Sequence, residues 1–171
     1  MTRVLFAIFV ALLAAFPGSA ATLPDFVAPR LFGQGTSSVL GVRLYNARLW
    51  GQEEGQLDAP LKLELTYFRD ISKSRLISFS LKEIQRIHPN IGADKLGYWN
   101  SAMASAFKDI RAGDSMIALF DFQTDVSFYH NQLLTAEIRD PDFARMFSDI
   151  WLSSDARDES LRRALTGQFA R

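Results

Sequence analysis

Apolar and polar positions along residues 31–50 (LFGQGTSSVLGVRLYNARLW) read as extended chain. Gly33 and Gly35 flank a single polar residue and predict a tight turn or a bulge, because glycine accepts positive φ freely. From Val39 onward the stretch fills with β-branched, aromatic and aliphatic residues without proline, as a strand deep in a sheet does. Alternation places Arg43, Tyr45, Ala47 and Leu49 on one face and Val42, Leu44, Asn46, Arg48 and Trp50 on the other. Residues 61–68 alternate again: Leu61, Leu63, Leu65 and Tyr67 oppose Lys62, Glu64 and Thr66. That predicts a half-buried strand antiparallel to the first. A short edge strand is expected at residues 26–28.

The period then lengthens to that of a helix. Asp70 or Ser72 caps it, Leu76, Ile77, Phe79, Ser80, Ile84 and Ile87 recur at helical spacing, and His88 before Pro89 ends it. A second helix opens near Asp94, with Leu96, Trp99, Met103, Ala106, Phe107 and Ile110 as its apolar stripe. After a turn at Ala112, Gly113 and Asp114, three short apolar runs (115–122, 126–130, 133–138) predict an antiparallel meander. Asp140 and Pro141 start a third helix, cap and first position respectively, with Phe143, Met146, Phe147, Ile150 and Trp151 inward. Asp155 or Asp158 opens the last, which Gly167 stops. Strands, two helices, strands, two helices: the order predicts an α+β domain with helices packed on an antiparallel sheet.

Composition adds an address and removes some functions. Residues 1–20 (MTRVLFAIFVALLAAFPGSA) have a short basic start, an apolar run and a small-residue break, the pattern of a secretory signal peptide cleaved after Ala20 or Ala21. Residues 21–171 then form one domain, expected to be periplasmic or secreted and not to span a membrane. The chain has no cysteine, which removes disulfides, thiolate metal sites and a cysteine nucleophile. Its formal net charge is zero, which argues against nucleic-acid binding.

Candidate chemistry is sparse. The two histidines, His88 and His130, lie in different elements, and no ligand spacing or nucleophile motif accompanies them, so neither a metal nor a cofactor is expected. What remains is Arg43, Tyr45, Asn46, Arg48, Tyr67 and Arg69 on two adjacent strands, with Trp99 on a facing helix. Arginine or tyrosine beside an apolar cavity suits a ligand with a carboxylate or carbonyl head and a greasy body.

The stretch 31–50 resembles the segment L-x-G-x-G-x-R-x-x-x-x-F-K-V-Y-x-A-x-L-Y/W of bacterial chalcone isomerase-like proteins. YFRDISKSRLISFSLKEIQR, FKDIRAGDSMIALF and DPDFARMFSDIWLSSDARDESLRRALTG resemble later parts of the same family, in the right order. The resemblance implies an open-faced β-sandwich: a large antiparallel sheet covered by helices, with a cleft between them. It further implies one of two activities. Catalytic members close a flavanone ring, using an arginine for the phenolate; non-catalytic relatives bind fatty acids through an arginine and a tyrosine. The family tyrosine falls on Tyr45. The family arginine falls on Ser37, which carries no charge, and Arg43 is the residue expected to replace it. The favoured reading is therefore a non-catalytic, exported binder of a small amphipathic molecule such as a fatty acid. An isomerase of chalcone isomerase type acting on an unsaturated carbonyl compound is the alternative, and an envelope scaffold with a filled cleft is the third.

Overall fold

The structure, a computed structural model, describes residues 30–52 and 56–167. The leader expected at residues 1–20 and the edge strand expected at 26–28 lie outside them. Six strands form one antiparallel sheet in chain order: β1 (Arg30–Val39), β2 (Val42–Gly51), β3 (Leu61–Tyr67), β4 (Ser115–Asp121), β5 (Asp125–His130) and β6 (Leu133–Ile138). Helices α1 (Lys73–Ile87) and α2 (Ala93–Ala106) connect β3 to β4, and α3 (Pro141–Leu152) and α4 (Glu159–Thr166) follow the sheet. Ser72 caps α1, Asp140 caps α3 and Asp158 caps α4, each through its side-chain oxygen. The helices cover the sheet face that carries Ala47, Leu49, Leu63, Leu65, Ala118 and Phe128, all buried. The opposite face carries Arg48, Glu64 and a Lys62 ammonium stacked 4.5 Å over the Trp50 ring.

Of the turn or bulge expected at the glycine pair, the structure has the bulge and not the turn. Gly33 and Gly35 lie inside β1, with an irregular register between Leu31 and Gly33, and the chain reverses at Leu40–Gly41 instead. Both turn residues have positive φ, +51° and +78°, so residues 31–50 are a hairpin of two strands, not one long strand. The glycines serve packing. A Cβ at Gly33 would stand 2.0 Å from the Ala164 carbonyl oxygen, and one at Gly35 would stand 2.9 Å from Ala164 Cβ and Leu161 Cδ1. Only bare backbone lets α4 lie this close to the sheet.

A second irregularity positions the site. Ser37 pairs with Tyr45, but Ser38 pairs with Arg43, so Leu44 is an extra residue on β2. Such a bulge resets the alternation of side chains. Leu44 and Tyr45 therefore both line the space beneath the sheet, and Arg43 does not; its guanidinium stacks 4.5 Å over the Phe68 ring.

Candidate functional site

Beneath the β1–β3 end of the sheet, walled by α1, α3 and the start of α4, lies a cavity of about 970 Å³. That is the upper end of the range for small-molecule sites. Its apolar lining includes Leu65, Met116, Phe107, Phe147 and Ile150. These belong to the aromatic core: Phe147 packs against Phe107, Phe128, Phe143 and Trp151 at centroid distances of 5.2–6.1 Å.

The polar part of the wall is drawn from β1, β2, β3, α1, α3 and the cap of α4. Ser37 Oγ on β1 donates to Asp158 Oδ2 at 3.0 Å, while Asp158 Oδ1 accepts from the Leu161 N–H at 2.9 Å to cap α4. Trp151 Nε1 on α3 donates to the Tyr45 hydroxyl on β2 at 3.1 Å. Tyr45 and Tyr67 meet edge to face, 5.6 Å between ring centres. Burial lifts the Tyr45 phenol above its ordinary 10.0, hydrogen bonding with Trp151 and Ser37 offsets part of the rise, and the Asp158 charge adds to it. Burial and then the neighbouring Tyr45 push Tyr67 far higher, so its hydroxyl is protonated at every physiological pH. Neither that hydroxyl nor that of Ser80, which also lines the cavity, has a hydrogen-bond partner among the described residues. They are unspent polar groups on an otherwise greasy wall.

One charged latch closes the α1 side. Glu83 is a buried acid; its Oε1 accepts from Arg157 Nε at 3.0 Å and its Oε2 from Arg86 Nε at 3.0 Å, and Arg86 Nη2 also donates to the Asp155 carbonyl at 2.7 Å. Burial pushes the Glu83 carboxyl up, but the hydrogen bonds and charges of Arg157 and Arg86 outweigh burial and hold it below its ordinary value. The stability this provides is complete above the unfolded value near 4.5 and is lost as pH falls through the lower folded value. Glu83→Gln is expected to cost roughly 1–2 kcal/mol at neutral pH, discounted because both arginines are partly solvated. Its denaturation curves should converge with those of the parent on acidification, and a gap that persists in acid would contradict the latch.

Of the side chains expected at the site, Tyr45, Tyr67 and Arg69 line the cavity. Arg43, Asn46, Arg48 and Trp99 do not. Asn46 faces the other side of the sheet and donates to the Gly35 carbonyl at 3.2 Å. Trp99 is fully buried between α2 and α3, its Nε1 donating to the Asp140 cap at 2.8 Å. Ser37, Ser80, Glu83, Trp151, Arg157 and Asp158 join the wall without having been expected there. Glu83 carried a legible signal, an acid on the apolar stripe of α1. Arg69 and Arg75 stand exposed on the lining, and neither makes an ion pair among the described residues.

A family model described as chalcone isomerase-like matches residues 30–167. Among solved structures, the chain is similar to the fatty-acid binding protein of Arabidopsis thaliana, with a TM-score of 0.63 and 13% identity over 88% of this chain and 90% of that one. A comparison with curated protein sequences gave no match.

Proposed function

The chain belongs to the chalcone isomerase-like family, and from that premise and the cavity we propose that it is a non-catalytic binder of a small amphipathic molecule of the fatty-acid kind, acting outside the cytoplasm after its leader is removed. The observation that carries the reading is the cavity itself: about 970 Å³, apolar within, with donors on its wall. Such a space fits a greasy body and weighs against a filled, purely structural cleft. Ser37, spent on Asp158, supplies no cation at the position of the family arginine, so any charge that meets a ligand must come from elsewhere on the wall.

The head group has a defined preference. A carboxylate beside Asp158 would be repelled, and Arg157 is already matched by Glu83. The cations open to a carboxylate are Arg69 and Arg75, with the Tyr67 hydroxyl as a neutral donor to a carbonyl or carboxyl oxygen. The double variant Arg69→Ala/Arg75→Ala should bind palmitate roughly tenfold more weakly, about 1.4 kcal/mol. It should bind methyl palmitate as the parent does. Equal loss for acid and ester, or no loss for either, would remove the arginines from the head-group site.

A further inference from the structure

The β1–β2 turn breaks two rules at once. Leu40 is 98% exposed and holds φ +51°, a left-handed conformation that side chains other than glycine, asparagine and aspartate avoid. Two-residue turns of this form favour Asn–Gly, so leucine is a poor choice for the backbone as well as for water. Leu40, exposed almost completely, contributes nothing to the core. Val39, Val42 and Phe68 are exposed around it, and Val39 also lines the cavity, as does the exposed Phe79 of α1. An unfavourable residue kept at a rim points to a role at that rim.

We propose that the Val39–Val42 tip inserts into an anionic lipid surface and brings the cavity mouth against the bilayer, where its amphipathic ligand resides. The inference rests on the reading of the cavity as an amphipath site. Charge selects a bilayer over a neutral apolar partner. Arg43 stands beside the tip, stacked on Phe68, and Arg69 and Arg75 face the same mouth. Of the acids lining the cavity, Glu159 pairs with Arg163 and Glu83 with Arg157 and Arg86, while Asp70 and Asp158 accept only from neutral N–H and O–H groups, so the three arginines outnumber the two uncompensated carboxylates. Shallow apolar side chains ringed by arginines match the acyl boundary and the phosphates above it.

The absence of cysteine from the chain allows a direct test. Leu40→Cys, labelled with an environment-sensitive fluorophore, is mixed with phosphatidylcholine vesicles with and without phosphatidylglycerol. Gln123→Cys, exposed in the turn between β4 and β5 at the other end of the sheet, is the control. Label at position 40 should blue-shift and brighten several-fold on the anionic vesicles, and label at 123 should not. Leu40→Asn should lower vesicle partitioning at least fivefold, leave the melting temperature at or above that of the parent, and bind a dispersed fluorescent fatty acid as the parent does. An unmoved label at 40, equal shifts at both sites, or a shift with rising protein concentration in the absence of vesicles would overturn the proposal, the last in favour of a second copy of the chain. If the cavity reading itself is at fault, the parent fails to bind the dispersed fatty acid whatever the vesicles show.

Discussion

Ser80→Phe is expected to weaken ligand binding strongly while leaving the fold intact. Ser80 is buried on α1, faces the cavity, and has no hydrogen-bond partner to lose. A phenyl ring at that position projects into the space reserved for the ligand's apolar body, among Leu76, Phe107 and Ile150. Without ligand, the added ring buries apolar area at about 25 cal/mol per Å² and leaves stability equal or higher. With ligand, the two compete for one volume, and affinity for a fluorescent fatty acid should fall roughly a hundredfold, about 2.7 kcal/mol. The opposite signs are the diagnostic. Simple damage to the core would lower both quantities together, as in large-to-small core variants.

Gly33→Ala should have the largest effect on stability for so small a change. The new methyl would lie 2.0 Å from the Ala164 carbonyl oxygen and 2.6 Å from that of Leu165. Both atoms are backbone, so no side chain can swing aside and α4 must lift from β1. Overpacking of this kind costs about 3 kcal/mol, and at a few degrees per kcal/mol the melting temperature drops by roughly 10 °C. The site feels the same displacement. Asp158 caps α4 and holds Ser37, so lifting the helix opens the polar wall, and fatty-acid affinity should fall together with stability. Unchanged stability in Gly33→Ala would contradict the close seating of α4.

Much of the fold was legible because local chemistry and tertiary packing agree. Alternation over 61–67 identified the inward face of β3, and Asp140 before Pro141 fixed the start of α3 at the residue where it begins. The hairpin was misread because its turn residues are Leu40 and Gly41, while the more conspicuous glycines, Gly33 and Gly35, serve packing against α4, roughly 130 positions later in the chain. A sequence shows that a glycine is needed, not which neighbour requires it.

The site was half legible for a related reason. Tyr45, Tyr67 and Arg69 follow from strand alternation near the end of two paired strands. Arg43 follows from the same rule and is displaced by one extra residue at Leu44, a bulge that no local pattern announces. Trp99 sits on the helical stripe that was expected, but that stripe meets α3 and the Asp140 cap, away from the cavity. The helical half of the wall, Glu83, Trp151, Arg157 and Asp158, assembles only when α1, α3 and the start of α4 converge. Asp158 is recognisable as a cap; that its second oxygen reaches Ser37, 121 positions earlier, is a property of the fold alone.

The central claim is that the cavity holds an amphipathic molecule. Its most direct test is the intact mass of the protein isolated from its own cells, taken under native and then denaturing conditions. A mass excess that disappears on denaturation, and that extracts as an acyl compound, is the expected result. A bare mass, from protein that also shows no saturable binding of a fluorescent fatty acid, would contradict the claim and leave a cavity without a ligand of this class.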